Sequence, residues 1–394
     1  MKREANSVGR VLVTVCFFLT VFSTGMVLVA EGAEPIKVGV VVSKTGWAGF
    51  IGTPEADTIE VVVDRVNREG GVLGRRVELY IEDDQSSPTT AAVAATKLAR
   101  DKNVCAIIGA TVTAQCMPMI PVMEREKVPN ASLGAGHEIT YPIKKWVFRI
   151  PMTDFRMAPV MLNFAKERLN AKKIALLHST DASAMMGAEG FRENVSKFGM
   201  SIISTEKFDP KDTNMIPQLT KIKIAKPDAI ILYTAGAPAI VVAKNYRQLE
   251  MKEPVIASHG VVSLEFLKQA PEYIYPTWTI FSPKAVIASK LSPTDPYRKN
   301  LYEPLVRDLK EKFGKERELD AWGAVAHDGI KLVIEALKLA GTDERSALRD
   351  AMEKAEFKGF LADFKYSPTD HDGMAVVHMV PVIIKDQAYW PYQP

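Results

Sequence analysis

Three segments of this chain place glycine, hydroxyl and aromatic residues directly after apolar, strand-like runs. The first segment is glycine-rich and carries Trp47 and Phe50, and the second places Thr111 and Thr113 at the expected start of a helix. Backbone N–H groups at a helix start bind anions, and a threonine hydroxyl adds a donor. These two segments therefore predict a site for a small anion, with apolar cover from aromatic rings.

The third segment consists of small residues, Gly134, Ala135 and Gly136, which let a ligand approach the backbone. Taken alone, each of the three segments is more typical of a turn or a helix cap. In open α/β sheets, however, ligands bind at the carboxyl ends of the strands, where all three segments are expected to meet. Their convergence favours a ligand site.

Common catalytic motifs are missing from the sequence. There is no Walker loop, GxSxG elbow or HExxH pair, and the run at 133–139 has Ile139 where a dinucleotide fingerprint needs a small residue. The histidines lack metal-ligand spacing. We interpret the His-Asp pair at 327–328 as structural and the pair at 371–372 as a solvated turn. We therefore expect no enzyme, no metal and no other cofactor.

Short apolar runs alternate with amphipathic stretches along the chain. The predicted strands are 37–43, 77–82, 106–108, 174–178, 202–206, 229–233 and 255–257. Apolar residues spaced for a helix predict helices over 55–69, 89–101, 157–169, 187–198 and 238–250. This alternation predicts an α/β fold of doubly wound parallel sheets, each covered on both faces.

Two breaks in this pattern, near 146–153 and 275–284, divide the chain into two similar lobes. The predicted N-terminal lobe is 34–149 plus 282–358, and the predicted C-terminal lobe is 150–281 plus 359–394. Late helices over 296–313, 320–340 and 344–356 return to the first lobe, and closing strands from Phe364 onward join the second. Three crossings between the lobes would form a hinge that opens and closes around a ligand.

The N-terminus has the order of a secretory signal over residues 1–33. Basic residues precede an uncharged apolar run, 11–30, and small residues follow it. Cleavage after Ala30 or Gly32 would place the rest of the chain outside the cytoplasm, in the periplasm or at the cell surface. Since the run is long enough to cross a bilayer, a retained anchor is the alternative. Cys16 lies inside the run, which argues against a lipoprotein.

The amino-acid composition indicates which kinds of partner and which cysteine chemistry to expect. The formal net charge is +3 and there is no dense Lys/Arg patch, so we expect no nucleic acid partner. Two cysteines follow the signal, Cys105 and Cys116, which either form one bridge or, as we favour, lie buried as free thiols. We expect a monomer.

Several motifs together resemble a known family. They are TG at 45–46, NREGGVLGR at 67–75, EDDQSSP at 82–88, IIG at 107–109 and SHGV at 258–261. The mature chain resembles the periplasmic substrate-binding proteins of branched-chain amino acid-type ABC importers, which have the type I periplasmic binding protein fold. The resemblance implies a receptor that closes on a small solute and delivers it to membrane permease subunits.

The resemblance also implies roles for first-lobe residues. The hydroxyl that holds the ligand carboxylate in the family falls on Thr113, with Ala114 beside it. The small-residue segment carries a second hydroxyl in amino-acid binders, but this chain has Ala135 at that position. Part of the usual amino-acid site is therefore changed.

Second-lobe positions depart further from the family. The aromatic residue that often covers the ligand falls on Met186, which is equally compatible with core filling, and Tyr233 falls at the mouth of the lobe. The acidic residue that pairs with the ligand ammonium falls on His259. A buried ammonium without a carboxylate partner is costly. We therefore expect a small carboxylate without an α-amine, as in the family's aromatic-acid-binding subgroup, unless His259 is simply bonded to backbone.

Two other functions are compatible with the sequence. A ligand-sensing receptor domain would require that the N-terminal apolar run be retained. A secreted hydrolase would require a nucleophile constellation, which the sequence lacks. The importer component is the favoured interpretation.

Overall fold

The structure, a computed structural model, describes residues 34–274 and 276–392. The predicted signal lies outside the described residues. The first part of the chain contains β1 (Ile36–Val42), α1 (Gly49–Arg68), β2 (Val77–Asp83), α2 (Pro88–Arg100), β3 (Ala106–Gly109), α3 (Thr113–Glu126), β4 (Asn130–Ser132) and β5 (Val147–Arg149). Since α1 begins at Gly49, ahead of the predicted start, Phe50 lies in its first turn and not in a loop.

The middle of the chain continues the alternation of helix and strand. It contains α4 (Asp154–Leu169), β6 (Lys173–Ser179), α5 (Ala182–Asn194), β7 (Ser201–Phe208), α6 (Ile216–Ala225), β8 (Ala229–Tyr233), α7 (Pro238–Gln248), β9 (Val255–Ala257), α8 (Leu264–Gln269), α9 (Pro271–Ile274) and β10 (Trp278–Pro283). Helix starts carry the expected caps, since the Thr153 hydroxyl accepts from Arg156 N and the Asp181 carboxylate accepts from Ala184 N.

The last part of the chain has three helices followed by strands. These are α10 (Glu303–Phe313), α11 (Ala321–Ala340), α12 (Arg345–Met352), β11 (Glu356–Lys358), β12 (Ala362–Lys365), β13 (Met374–Val377), β14 (Met379–Lys385) and β15 (Ala388–Pro391). Within the described residues, no helix is long and apolar enough to cross a membrane.

Two parallel sheets organise the molecule. The first has the order β2-β1-β3-β4-β5, and the second has the order β15-β14-β10-β9-β8-β6-β7. All neighbours in the first sheet are parallel, whereas β14 and β15 are antiparallel additions to the edge of the second. Strands β11, β12 and β13 form a small separate sheet. The predicted α/β fold class is confirmed.

The last three helices and the segment after them pack on the first sheet. Helix α11 lies along α1, and Asp328 of α11 is buried, with its carboxylate accepting from Phe360 N and Leu361 N at 2.8 Å each. This confirms a structural role for the pair at 327–328. Phe364 and Tyr366 belong to the same core cluster. Placing them in strands that close the second lobe was therefore wrong, because their aromatic rings are buried against the first sheet.

The pair at 371–372 is also not a solvated turn. His371 and Asp372 are both buried, His371 stacks on Phe148 with ring centroids 4.1 Å apart, and Asp372 pairs with Arg149. The prediction was wrong because the partners that bury the pair lie more than two hundred positions earlier in the chain. Local sequence gives no sign of them.

The two described cysteines are free. Cys105 and Cys116 are both buried, and burial raises the pKa of each thiol to about 12. The interpretation of these residues as small buried side chains is confirmed, and the single bridge is not formed.

Candidate functional site

The segments that follow β1, β3 and β4 lie at the carboxyl edge of the first sheet, and those that follow β6, β8 and β9 lie at that edge of the second. We call the junction between these two sets of segments the cleft. Side chains from both sets touch there. The predicted site residues can therefore be placed one by one.

Thr113 and the segment 134–137, which we call the small-residue loop, meet on the first-sheet side of the cleft. Gly136 N donates to Thr113 Oγ1 at 3.0 Å. A Cβ atom on Gly136 would lie 2.3 Å from Thr113 Cγ2, and one on Gly134 would lie 3.0 Å from Thr113 N, so a side chain at either position needs the loop to shift. Because Thr113 Oγ1 accepts from Gly136, its own proton is left for an acceptor in the cleft. Ala114 and Ala135 lie half-buried beside this pair.

Thr111 serves the protein and not the cleft. Its hydroxyl accepts from Ser43 N at 2.9 Å and donates to Glu55 Oε2 at 2.7 Å. Glu55 is fully buried, and desolvation raises the pKa of its carboxyl well above the ordinary value. Because its proton is donated to Glu55, the Thr111 hydroxyl has no donor left for a ligand carboxylate.

Asp154 joins the small-residue loop to the second sheet. Its N–H donates to Ala135 O at 3.1 Å, and its carboxylate accepts from Tyr233 OH at 2.8 Å and Ser183 Oγ at 2.5 Å. Burial raises the pKa of Asp154 to about 7. Tyr233 is buried, with its ring against Gly187, where a Cβ atom would lie 2.5 Å from Tyr233 Cε1. The predicted site residue Tyr233 is thus linked to the small-residue loop through Asp154.

Two contacts cross the cleft directly. His137 N, at the end of the small-residue loop, donates to Met186 Sδ at 3.2 Å. Phe50 lies against Gly236, where a Cβ atom would lie 2.4 Å from Phe50 Cζ. Met186 and Phe50 therefore each contact the opposite side of the cleft. Trp47, by contrast, is 52% exposed.

His259 and Thr234 form the polar part of the second-sheet side. Their segments are tied together, because Ser258 Oγ donates to Thr234 O at 3.1 Å and Gly236 N donates to Gly260 O at 3.0 Å. His259 Nδ1 and Thr234 Oγ1 are buried and have no hydrogen-bond partner within the described part of the chain. Burial lowers the pKa of His259 to about 4, so its ring is neutral at pH 7.

His259 also borders a small apolar cavity next to the hinge. The cavity has a volume of about 20 Å³ and lies between Pro151, Pro283 and Trp322, among other residues. Since Pro151 and Pro283 belong to two of the predicted crossings between lobes, His259 is placed where opening would change its surroundings. Among residues 34–274 and 276–392, no group of three or more His, Cys, Asp or Glu side chains could hold a metal ion.

A family model described as a periplasmic binding protein matches residues 35–387, and the chain belongs to that family. The Leu/Ile/Val-binding protein homolog 3 of Brucella melitensis is 22% identical over 340 residues, which cover 85% of this chain and 88% of the relative.

Solved structures agree on the fold. An extracellular ligand-binding receptor from Rhodopseudomonas palustris HaA2 is 26% identical with a TM-score of 0.83, covering 91% of this chain and 100% of that one. A solute-binding protein of an ABC transporter from R. palustris, in complex with benzoate, is 18% identical with a TM-score of 0.76, covering 91% of this chain and 95% of that one. The type I periplasmic binding protein fold is thus confirmed, and the relatives indicate a branched-chain amino acid-type ABC substrate-binding protein.

Sequence reasoning placed the segment 234–237 at the mouth of the second lobe, but it missed Asp154 in the cleft and Glu55 as the buried partner of Thr111. Asp154 follows Thr153 in a TD pair that reads as an ordinary helix start, and Glu55 is one acidic residue among several in α1. Only their burial next to Tyr233 and Thr111 sets them apart.

We expect the His259 ring to stay neutral from pH 8 down to about pH 5, because burial lowers its pKa to about 4. An NMR titration of the histidine ring signals, assigned with a His259→Gln variant, checks this. A ring that protonates near the model-peptide value of about 6.5 would contradict it. The same ring binds a proton at higher pH in the unfolded chain than in the folded protein. Between about pH 6.5 and pH 4, a falling pH therefore lowers the contribution of His259 to the free energy of unfolding.

Proposed function

We propose that this protein is the extracytoplasmic solute-binding component of an ABC importer and that it closes on a small carboxylate without an α-amine. Two observations carry the ligand class: a hydroxyl at a helix start, Thr113, on the first-sheet side, and on the second-sheet side a neutral imidazole, His259, whose buried Nδ1 has no hydrogen-bond partner within the described residues. The predicted signal and the delivery of the ligand to permease subunits complete the proposal.

The first-sheet side suits a carboxylate. Helix α3 begins at Thr113. Its N-cap residue is Val112, whose side chain makes no capping hydrogen bond. In its first turn, Gln115 N and Cys116 N donate to Val112 O, whereas the N–H groups of Thr113 and Ala114 lack intrahelical partners and lie at the positive end of the helix dipole. With Thr113 Oγ–H as an additional donor, this end of the cleft offers several donors and no negative charge of its own.

The second-sheet side does not suit an ammonium. His259 is neutral and offers either a donor or an acceptor, but no negative charge. Asp154 is a weak candidate for the charged partner, because burial raises its pKa to about 7 and so disfavours the charged carboxylate. Since a buried ammonium needs a charged partner, an α-amino acid would leave its amine uncompensated here. A keto, hydroxyl or phenol oxygen would instead find donors in His259 and Thr234.

The two sheets and the cross-cleft contacts suggest the mechanism. We propose that the two predicted lobes separate in the unliganded protein and that Met186 and Phe50 make their cross-cleft contacts on closure. A ligand that touches both sides favours the closed state, since it binds that state better than the open one. The closed state would then be the form that the permease recognises.

A thermal-shift screen of the chain from Glu34 tests the ligand class. Leucine, isoleucine, valine and phenylalanine are compared with benzoate, hydroxybenzoates, cinnamates, phenylpyruvate and short keto acids. A ligand at 100 times its Kd adds about 2.7 kcal/mol to folding stability, which is a measurable shift in Tm. We expect stabilisation by amine-free acids. Stabilisation by leucine-type ligands alone would overturn the proposed ligand class but not the solute-binding role.

Thr113→Val should weaken binding of the acid that gives the largest shift by about 1–3 kcal/mol, because it removes the hydroxyl donor to the carboxylate. Isothermal titration calorimetry measures this loss. Thr113→Ser keeps the hydroxyl and should recover most of the affinity. Equal affinity for Val and the unchanged protein would rule out this residue as a carboxylate contact.

Met186→Ala should weaken binding of the same acid by about tenfold, because it removes the sulfur atom that accepts from His137 N across the cleft. The neighbouring Met185, 38% exposed, provides the matched control, and Met185→Ala should leave the affinity unchanged. If both variants lower Tm without changing affinity, the methionines fill the core and do not close the site.

A further inference from the structure

Arg149 is a fully buried arginine at the end of β5, and its guanidinium contacts the small-residue loop. Its Nη1 donates to Gly136 O at 2.8 Å, and its Nη2 pairs with Asp372. Its backbone is held as well, since Arg149 N donates to His371 O at 2.8 Å and Tyr366 OH donates to Arg149 O at 3.1 Å. The guanidinium therefore has little freedom to move.

Asp372 extends this contact to the other end of the loop. Its Oδ1 accepts from Thr140 Oγ1 at 2.6 Å, and Thr140 follows the short helical turn His137–Ile139. Arg156, which is partly exposed, lies farther away, with Nη1 3.9 Å from Asp372 Oδ2. We call Arg149, Asp372 and Thr140 the clasp. The clasp contacts the small-residue loop at Gly136 O and the chain just beyond the loop at Thr140.

The clasp acts on one of two consecutive peptide groups. In the peptide between Ala135 and Gly136, the carbonyl accepts from Asp154 N and the N–H donates to Thr113 Oγ1. In the next peptide, the Gly136 carbonyl accepts from Arg149 and the His137 N–H donates to Met186 Sδ. Because a peptide group is planar, fixing its carbonyl fixes the direction of its N–H.

We propose that the clasp residues are positioning residues for ligand binding, which they influence by aiming His137 N–H across the cleft at Met186. This inference rests on the proposed function. A charged donor on Gly136 O also polarises the peptide and strengthens its N–H as a donor. Loss of the clasp lets the peptide turn, weakens the cross-cleft contact and speeds ligand release.

A purely structural role predicts something different. Breaking a buried ion pair lowers stability in any case, because it leaves a buried charge unpaired. It does not by itself loosen the small-residue loop more than the rest of the sheet, nor weaken binding far below Tm. Hydrogen exchange of the small-residue loop and ligand affinity therefore distinguish a positioning role from a purely structural role.

The test compares Thr140→Val and Asp372→Asn with Asp343→Asn. The control removes the ion pair of Asp343 with Arg75, 2.9 Å long, which lies away from the cleft. Hydrogen exchange followed by mass spectrometry is measured for peptides over 133–140 and, as reference, over 36–42. We expect exchange over 133–140 to rise by about tenfold in Thr140→Val, which introduces no unpaired charge, and to stay unchanged in the control.

Binding is then measured well below Tm with benzoate and with leucine as probes. For whichever probe stabilises the unchanged protein, the two clasp variants should bind about tenfold more weakly through faster dissociation. Unchanged exchange over 133–140, or faster exchange with unchanged affinity, overturns the proposal. If neither probe nor any other acid of the screen binds the unchanged protein, the proposed function fails, while the exchange measurement still decides whether the clasp holds the loop.

Discussion

The candidate site depends on how two consecutive peptide groups of the small-residue loop are held. Each accepts at its carbonyl from a residue outside the loop, Asp154 or Arg149, and donates at its N–H to a predicted site residue, Thr113 or Met186. A buried peptide group without partners is costly, so these four hydrogen bonds are required once the loop is buried. They determine where the first-sheet side of the cleft can meet the second.

The small side chains of the loop follow from the same requirement. Thr113 approaches so closely that a Cβ atom on Gly136 would lie 2.3 Å from its methyl group. On the other side of the cleft, Gly236 admits the Phe50 ring in the same way, and its φ of 71° also favours glycine. Both glycines allow close approach of the two sides, which is what a site that closes on a small ligand needs.

The local part of this arrangement could be predicted from the sequence, and the long-range part could not. Buried apolar runs such as β1 and β8, and the start of α3 at Thr113, follow from patterns within a few residues. The clasp joins Arg149 to Asp372, and the correct burial of Asp372 depends on that distant partner. Likewise, the contacts of Thr111 are internal because Glu55 happens to face it. The residue type of a charged or hydroxyl side chain does not predict which distant residue it will contact.

The charges around the small-residue loop also affect which class of ligand the cleft can bind. Titratable groups around the cleft are paired or shifted toward neutrality: Arg149 pairs with Asp372, and burial raises the pKa of Glu55 and of Asp154, the latter to about 7, and lowers the pKa of His259. In low-dielectric surroundings an unpaired charge has a high free-energy cost. A ligand is therefore favoured if its charge is negative, because the cleft offers hydrogen-bond donors for a negative charge. Those donors are the amides at the start of α3 and the Thr113 hydroxyl, which favour a carboxylate. On the opposite side, a neutral imidazole and a threonine hydroxyl match a neutral oxygen. We therefore propose a ligand with a carboxylate at one end and an uncharged polar group at the other, since such a ligand would leave no buried charge unpaired.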